Sequence, residues 1–377
     1  MIGNLDTTTL QQIWWLICSL LGALFLFLTF VQGGQTLLWQ CAKDDTEKSL
    51  IINSLGRKWE ITFTTLVLFG GALFAAFPKF YATSFGGAYW VWMLILFTFV
   101  VQAVSYEYRS KPNNLLGRGI YELFLFINGS LGILLIGAAV GTFFTGADFR
   151  LNEYNFVTWA NPLRGLEAAF SLFNLALGIF LVFNARVLGA MYLINNIDFK
   201  GLSKFEGRLR RAALSNFIIS LPFLLYFLIR LVTMKGFGVN AAGIVSMVPG
   251  KYLSNLLASP LTLVLLLAGL LLVITGVIYA ARSTGRAAIW MAGPGTILVG
   301  LAVFFTAGYN NTAFYPSKVD LQSSLTIYNA SSSHYTLTIM TYVALLIPFV
   351  LAYIGHVWNA MDSRKLSADE MIYDDLY

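Results

Sequence analysis

Long apolar runs recur along the chain from Leu10 to Met361, and they restrict its possible folds more than any other feature. In lipid every backbone polar group must be hydrogen-bonded within the chain, so an apolar run of about 20 residues becomes a membrane-spanning helix. Only 11% of the 377 residues are charged and 58% are hydrophobic, whereas a soluble domain carries about 25% charged residues. The sequence therefore predicts an all-α integral membrane protein.

Nine runs are long enough to cross a bilayer, and we treat residues 1–377 as a single membrane domain. The loop at 195–208 divides the nine runs into groups of five and four, which suggests two bundles. Helices 1–4 occupy about 10–145, helices 5–8 about 163–308 and helix 9 about 336–361. The predicted spans are 10–31, 61–82, 88–106, 120–145, 163–193, 209–234, 261–281, 287–308 and 336–361.

The net charge of +6 comes from 24 Lys and Arg residues, most of which fall in alternate loops between the apolar runs. Lys and Arg accumulate in cytoplasmic loops of membrane proteins. This asymmetry places the N-terminus outside and the C-terminus in the cytoplasm. Because the cations sit in short loops beside lipid, we expect no nucleic-acid partner.

Few residues in this chain suit catalysis or metal binding. The two histidines, His334 and His356, fall near opposite ends of the last predicted helix, too far apart to share one metal. Cys18 and Cys41 lack metal-type spacing and are interpreted as packing residues. Phosphate-binding, zinc-protease and nucleophile-elbow motifs are absent from the sequence. We therefore do not expect this chain to be an enzyme by itself.

Ionisable residues at the membrane are the remaining candidates for function, because charge is costly there. Glu60 opens helix two next to Trp59, and Glu107 closes helix three. Antiparallel neighbours bring both acids to one cytoplasmic depth, where they would collect protons. In the alternative interpretation, Glu60 complements a helix N-terminus and Glu107 pairs with a neighbouring cation. Both interpretations remain open.

Two further sets of polar residues fall in or near the predicted spans. Arg164 and Glu167 are three residues apart near the outer end of helix five, which predicts a local ion pair. Four asparagines fall inside predicted spans, where amides usually form hydrogen bonds between helices. They are Asn128, Asn174, Asn184 and Asn216.

Several strings, in order along the chain, resemble subunit II of cytochrome bd-type quinol oxidases. The N-terminal half contributes Ile13 to Trp15, Asn53 and Ser54, Trp59 and Glu60, Gly70 to Pro78 with Tyr81, Tyr106 to Lys111, and Asn161 to Leu163 with Gly165 and Leu166. The C-terminal part contributes Ser324 to Ser333, Thr336, Leu337, Met340 and Thr341.

This resemblance implies two four-helix bundles plus one peripheral helix, in the bacterial inner membrane. It further implies a partner subunit I that holds two haems b and one haem d and oxidises quinol while dioxygen is reduced to water. This chain would bind no haem through its own ligands, would stabilise subunit I and would supply a cytoplasmic proton path. Trp59, Glu60 and Glu107 match the family's acidic segments. A structural quinone or lipid, membrane lipids and small single-helix accessory subunits are further expected partners.

The sequence departs from the family pattern at the end of helix one. An Asp-Gly-Phe-Asp-like string is usual there, and this chain has Gln32, Gly33, Gly34 and Gln35. An arginine usual in helix three is replaced by Gln102. Amides release no proton at neutral pH, so a proton role for these positions is in doubt.

A secondary transporter or channel is the alternative from another functional class. Such proteins often carry paired Gly- or Pro-broken spans with charges near the membrane midplane. Here Pro222, Pro294 and Pro348 form no symmetric pair, and the acids lie near the membrane faces. Co-purifying haem would decide against transport.

Overall fold

The computed structural model describes residues 2–372. Within this range eight helices are long and apolar enough to span a membrane, and a bent helix pair makes a ninth candidate span. The eight are Thr7–Gln35, Asp45–Ala76, Tyr89–Tyr108, Arg118–Thr145, Leu172–Asn196, Ser203–Thr233, Pro260–Arg282 and Ile289–Gly308. This agrees with the predicted count.

The α-helices are α1 Thr7–Leu28, α2 Phe30–Gln35, α3 Leu38–Cys41, α4 Asp45–Gly56, α5 Trp59–Ala76, α6 Pro78–Tyr81, α7 Tyr89–Tyr108, α8 Arg118–Ile127, α9 Ile133–Thr145, α10 Leu172–Asn196, α11 Ser203–Thr233, α12 Lys251–Ala258, α13 Pro260–Arg282, α14 Ile289–Gly308, α15 His334–Ala344 and α16 Ile347–Asp362. Short π-helical turns occupy Ala82–Gly86 and Asn128–Gly132. Short 3₁₀ turns lie at Ile2–Asn4, Leu166–Phe170, Leu321–Ser323 and Ala368–Ile372.

Two departures from the predicted spans have local backbone causes. The fifth span begins at Leu172 and not at residue 163, because Arg164 and Gly165 have φ angles of 37° and 96° that no helix accommodates. The last span bends by 40° between α15 and α16. Pro348 lies in the first turn of α16, where its missing N–H interrupts the helical hydrogen bonding.

Helix packing is extensive between the two predicted halves of the chain. The helix α10 lies against α2, α9 and α11, and α1 lies against α5, α14 and α15. Gly33 and Gly34 on α2 allow the backbones of α2 and α10 to approach each other closely. A Cβ atom on Gly33 would lie 1.9 Å from the carbonyl carbon of Ala185 on α10. Small residues permit such backbone contact between membrane helices. The division into two four-helix bundles remains a prediction.

Three antiparallel strand pairs cap the end of the molecule that is predicted to face outward. The strands are β1 Phe149–Leu151, β2 Val157–Trp159, β3 Lys235–Val239, β4 Val245–Pro249, β5 Ala313–Tyr315 and β6 Leu325–Thr326, paired in that order. The hairpins are joined to one another: Ala147 N–H donates to the Pro316 carbonyl over 2.9 Å, and Val239 N–H donates to the Asn311 carbonyl over 2.9 Å. These hydrogen bonds join the three strand pairs into one outer layer.

Candidate functional site

The predicted acids Glu60 and Glu107 both have exposed side chains. Glu60 lies in the first turn of α5 and Glu107 is the second-last residue of α7. Their chain neighbours Trp59 and Tyr106 stack with ring centroids 6.0 Å apart and planes inclined by 11°. The stacked rings hold the two helix ends side by side, which brings the chain segments carrying the acids together.

The alternative explanation for each acid also has structural support. The Glu107 carboxylate lies 3.8 Å from Lys111 Nζ, and both side chains are 59% exposed. A pair this exposed contributes little stability. Glu60 lies where a negative charge complements the N-terminal dipole of α5.

Gln32 and Gln35, the altered family positions, meet Gln102 in a buried amide cluster. Gln102 Nε2 donates to Gln35 Oε1 over 3.0 Å, and Gln32 Nε2 donates to Gln102 Oε1 over 3.4 Å. Tyr106 OH donates to Gln35 Oε1 over 3.1 Å. The three residues predicted to depart from the family pattern therefore form one neutral contact network. Residues 67 and 70 positions apart come together here, which their spacing in the chain did not reveal.

Asn128 extends the amide cluster to a further helix. Gln35 Nε2 donates to Asn128 Oδ1 over 2.8 Å and to the Leu125 carbonyl over 2.7 Å. Asn128 opens the π-helical turn between α8 and α9, and such turns often occur at functional sites. The buried Gln32 Oε1 has no hydrogen-bond partner within the part of the chain that the structure describes.

A buried ion cluster centred on Glu122 adjoins this region and was not predicted as a unit. Its carboxylate accepts hydrogen bonds from Arg109 Nη2 at 2.8 Å, Lys48 Nζ at 2.9 Å and Trp39 Nε1 at 3.3 Å. Glu122 and Arg109 are 3% and 2% exposed. The sequence did not indicate this cluster, because Lys48 lies 74 residues before Glu122 and Arg109 lies 13 residues before it, across the loop between α7 and α8.

A second buried ion pair fixes the end of the last helix. Lys58 Nζ donates to Asp362 Oδ1 over 2.8 Å, and the lysine side chain is 0% exposed. Asn196 Nδ2 donates to the same oxygen over 3.1 Å. Lys58 also lies 4.9 Å from the ring centroid of Trp358. Lys58 and Asp362 are 304 positions apart in the chain, so this contact could not be predicted from the sequence.

The predicted Arg164–Glu167 ion pair is wrong: no such pair forms within residues 2–372. The positive φ angles at Arg164 and Gly165 remove the helical geometry that an i, i+3 pair needs. Arg164 instead lies over the Tyr89 ring at 5.1 Å. Glu167 Oε2 accepts from Gly165 N–H over 2.8 Å.

Glu167 borders a polar pocket beneath the outer hairpins, together with Trp159, Asn174, Tyr315 and Lys318. Burial raises the pKa of the Glu167 carboxyl above its ordinary value. Its Oε1 and the Trp159 Nε1 are buried and have no protein partner among the described residues. Ordered water is the usual partner of such atoms.

The predicted asparagine contacts form for three of the four residues. Asn128 contacts Gln35, Asn174 Oδ1 accepts from Thr145 Oγ1 over 3.0 Å, and Asn216 Oδ1 accepts from Arg186 Nε over 2.8 Å. Asn184 instead lines an apolar cavity between α10, α11, α13 and α14, together with Leu181, Phe217, Val299 and Val303.

The histidines do not fit a haem-binding pair. His334 is the first residue of α15, and its Nε2 lies 3.0 Å from the Leu5 carbonyl oxygen. His356 lies on α16 with its side chain exposed. No group of three or more His, Cys, Asp or Glu side chains is arranged to hold a metal ion in residues 2–372. We therefore derive no chemical step through a haem on this chain.

Comparisons with known proteins cover nearly the whole chain. The sequence model of one family, "Cytochrome bd terminal oxidase subunit II", matches residues 10–361. "Cytochrome bd-I ubiquinol oxidase subunit 2" of Escherichia coli K12 is 27% identical over 387 residues, 97% of each chain. "Cytochrome bd ubiquinol oxidase subunit 2" of Bacillus subtilis 168 is 22% identical over 369 residues, 95% of this chain and 96% of that one.

A solved structure supports the fold independently. The bd oxidase from Geobacillus thermodenitrificans contains a chain that superposes with a TM-score of 0.62 at 18% identity, covering 93% of this chain and 98% of that chain. At this identity the likeness establishes the fold alone.

Proposed function

The chain belongs to the cytochrome bd terminal oxidase subunit II family, and from that membership we propose that it is the haem-free subunit of a quinol-oxidising, oxygen-reducing complex. It is a multi-pass protein of the bacterial inner membrane. In the proposed complex subunit I holds two haems b and one haem d. This chain stabilises that subunit and supplies a cytoplasmic proton path.

The position of the two histidines is the observation that carries the haem-free assignment. One contacts a backbone carbonyl and the other is exposed on the last helix, whereas axial ligands face each other across a bundle interior. We therefore propose that haem attached to such a complex is held by another chain. Membership of an oxidase family does not favour the transporter or channel alternative.

Purification tests this function directly. The chain is tagged, extracted from its native membrane in mild detergent, and analysed by a reduced-minus-oxidised visible spectrum. We expect b- and d-type haem bands and a second large subunit. A colourless chain without a large partner would contradict the oxidase assignment and return attention to transport.

Glu60 and Glu107, with Trp59 beside them, form the proposed proton-uptake site. Their carboxylates are exposed, and their chain neighbours Trp59 and Tyr106 stack on each other, with Tyr106 OH hydrogen-bonded to Gln35 of the amide cluster. Gln32, Gln35 and Gln102 carry no titratable proton. The exposed faces of α5 and α7 are apolar, with Leu68 and Phe97 among their residues, so we propose that water between these faces and the partner subunit passes protons inward from the two acids. These faces would be covered by subunit I in the complex.

Replacing both acids tests the path. We expect Glu60→Gln with Glu107→Gln to slow quinol-driven oxygen uptake about tenfold while haem content stays normal, as for loss of positioned acid–base groups. Lys111→Gln, which breaks the exposed Glu107 contact without removing the acid, is the matched control. Unchanged turnover in the double variant would rule out this uptake site.

The apolar cavity beside Asn184 is a proposed site for a structural quinone or lipid tail. Its lining is almost entirely Leu, Phe, Val and Ile, with Asn184, Ser220 and Thr296 as polar points. Pockets of this composition suit a long apolar ligand. Solvent extraction of the purified complex, followed by mass spectrometry, should recover a stoichiometric quinone or lipid; trace amounts would contradict the proposal.

A further inference from the structure

Arg186 on α10 is a cation inside a membrane-spanning helix that has no carboxylate partner within residues 2–372. Three other cations of the predicted cytoplasmic half differ in this respect. Lys58 contacts Asp362, Arg109 contacts Glu122, and Arg208 contacts Glu47. An unneutralised charge within a membrane span is costly, so an anion from outside this chain is expected at Arg186.

The hydrogen bonds of Arg186 leave donors for such an anion. Nε donates to Asn216 Oδ1 over 2.8 Å, Nη1 donates to Thr36 Oγ1 over 3.1 Å, and Nη2 donates to Gln40 Oε1. All three acceptors are neutral. A guanidinium has five N–H donors, so each terminal nitrogen keeps one that no described residue accepts. Two adjacent N–H groups match two oxygens of one phosphate.

The guanidinium lies at the level of lipid headgroups. The first span runs over Thr7–Gln35, a length of about 43 Å at 1.5 Å per residue. This exceeds the roughly 30 Å of bilayer hydrocarbon. Gln40, which follows the span and contacts Arg186, is exposed. Trp39 beside it is 46% exposed, and tryptophan favours this interface.

Arg186 is half-buried where α10 meets α3 and α11, and we call the surface of this junction the groove. Arg208 on α11 donates to the Cys41 carbonyl at the end of α3 over 2.6 Å, which marks where the two helices meet. Arg211 lies three residues further along the same helix surface and is exposed. Arg208 is already neutralised by Glu47. Arg186 and Arg211 therefore give the groove a net positive charge.

We propose that this groove binds the headgroup phosphate of a net-anionic phospholipid, with Arg186 as its bidentate contact. The second cation favours an anionic lipid over a zwitterionic one. The exposed Ile219 on α11 continues the groove toward the hydrocarbon and offers an apolar surface to an acyl chain. The site is distinct from the apolar cavity, whose lining does not include Arg186.

Titration of the delipidated complex with defined lipids tests the proposal, with native mass spectrometry as the readout. We expect wild-type protein to bind phosphatidylglycerol, and Arg186→Gln to bind it about tenfold more weakly, as for loss of charge-assisted hydrogen bonds. Arg282→Gln, which removes an exposed cation at the cytoplasmic end of α13, is the matched control and should retain the lipid. Equal phosphatidylglycerol binding by wild type and Arg186→Gln would overturn the site.

Two measurements on wild-type protein keep the test independent of how the variant folds. Phosphatidylcholine should bind more weakly than phosphatidylglycerol, and equal binding would overturn the assignment to an anionic lipid. Inorganic phosphate should not displace phosphatidylglycerol at millimolar concentration. Displacement by phosphate would show that the groove binds a soluble anion. It would overturn the proposal that a lipid supplies the phosphate.

Discussion

At the scale of single residues, the Lys58–Asp362 pair is the contact on which the last helix depends most. Lys58 has no solvent exposure, and its Asp362 partner is 11% exposed. Removing one partner of a buried pair strands the other charge, whereas replacing both with apolar side chains is often tolerated. The Lys58–Asp362 contact therefore restricts substitution at either residue alone.

We expect Asp362→Asn to lower the free energy of unfolding by about 3 kcal/mol, because Lys58 keeps its charge without a counter-ion. Thermal unfolding of the purified protein measures this. The combined variant Lys58→Met with Asp362→Leu should recover most of the loss. If the single and combined variants were equally unstable, the loss of stability would come from altered side-chain packing at this site and not from the unpaired charge.

At the scale of elements, the length of the apolar runs predicted the helices well and their irregular ends poorly. Most spans were placed to within a few residues, because length and hydropathy alone decide what crosses a bilayer. The start of α10 was missed because it depends on positive φ angles at Arg164 and Gly165.

Long-range polar contacts could not be predicted from the sequence. Gln32, Gln35 and Gln102 were each noted as altered, yet only the fold joins them. Lys48 and Glu122 are likewise 74 positions apart in the chain, and Lys58 and Asp362 are 304 positions apart. Tertiary packing determines such pairs, and a single sequence carries no record of it.

The close contact between α2 and α10 allows a prediction about how tightly these two helices pack. In Gly33→Ala the new Cβ would overlap the backbone of Ala185, so the helices must separate. We expect a loss of about 3 kcal/mol in unfolding free energy. Gly355→Ala on α16, where a Cβ meets nothing within 4 Å, is the control and should be neutral or slightly stabilising. A stable Gly33→Ala protein would show that this contact is not tight.

At the scale of the whole molecule, the orientation in the membrane is a prediction from loop charges. The hairpin tip at Tyr154 is 79% exposed and Leu115, between α7 and α8, is 92% exposed. They lie in loops that the charge asymmetry assigns to opposite sides. The native Cys18 and Cys41 are buried, which keeps background labelling low.

Membrane-impermeant maleimide on spheroplasts tests this orientation. We expect Tyr154→Cys to be labelled in intact spheroplasts, and Leu115→Cys to be labelled only after permeabilisation. The reverse pattern would place the N-terminus in the cytoplasm and invert the proposed direction of proton uptake.

The buried lysine at the start of the second span also has a consequence for biosynthesis. Lys58 leaves the ribosome 304 residues before Asp362, so throughout synthesis its counter-ion does not yet exist. A nascent chain therefore lacks the carboxylate that pairs with Lys58 in the finished protein. We expect this lysine to become buried only after the last helix has been made, so closure of the bundle around it follows the completion of translation.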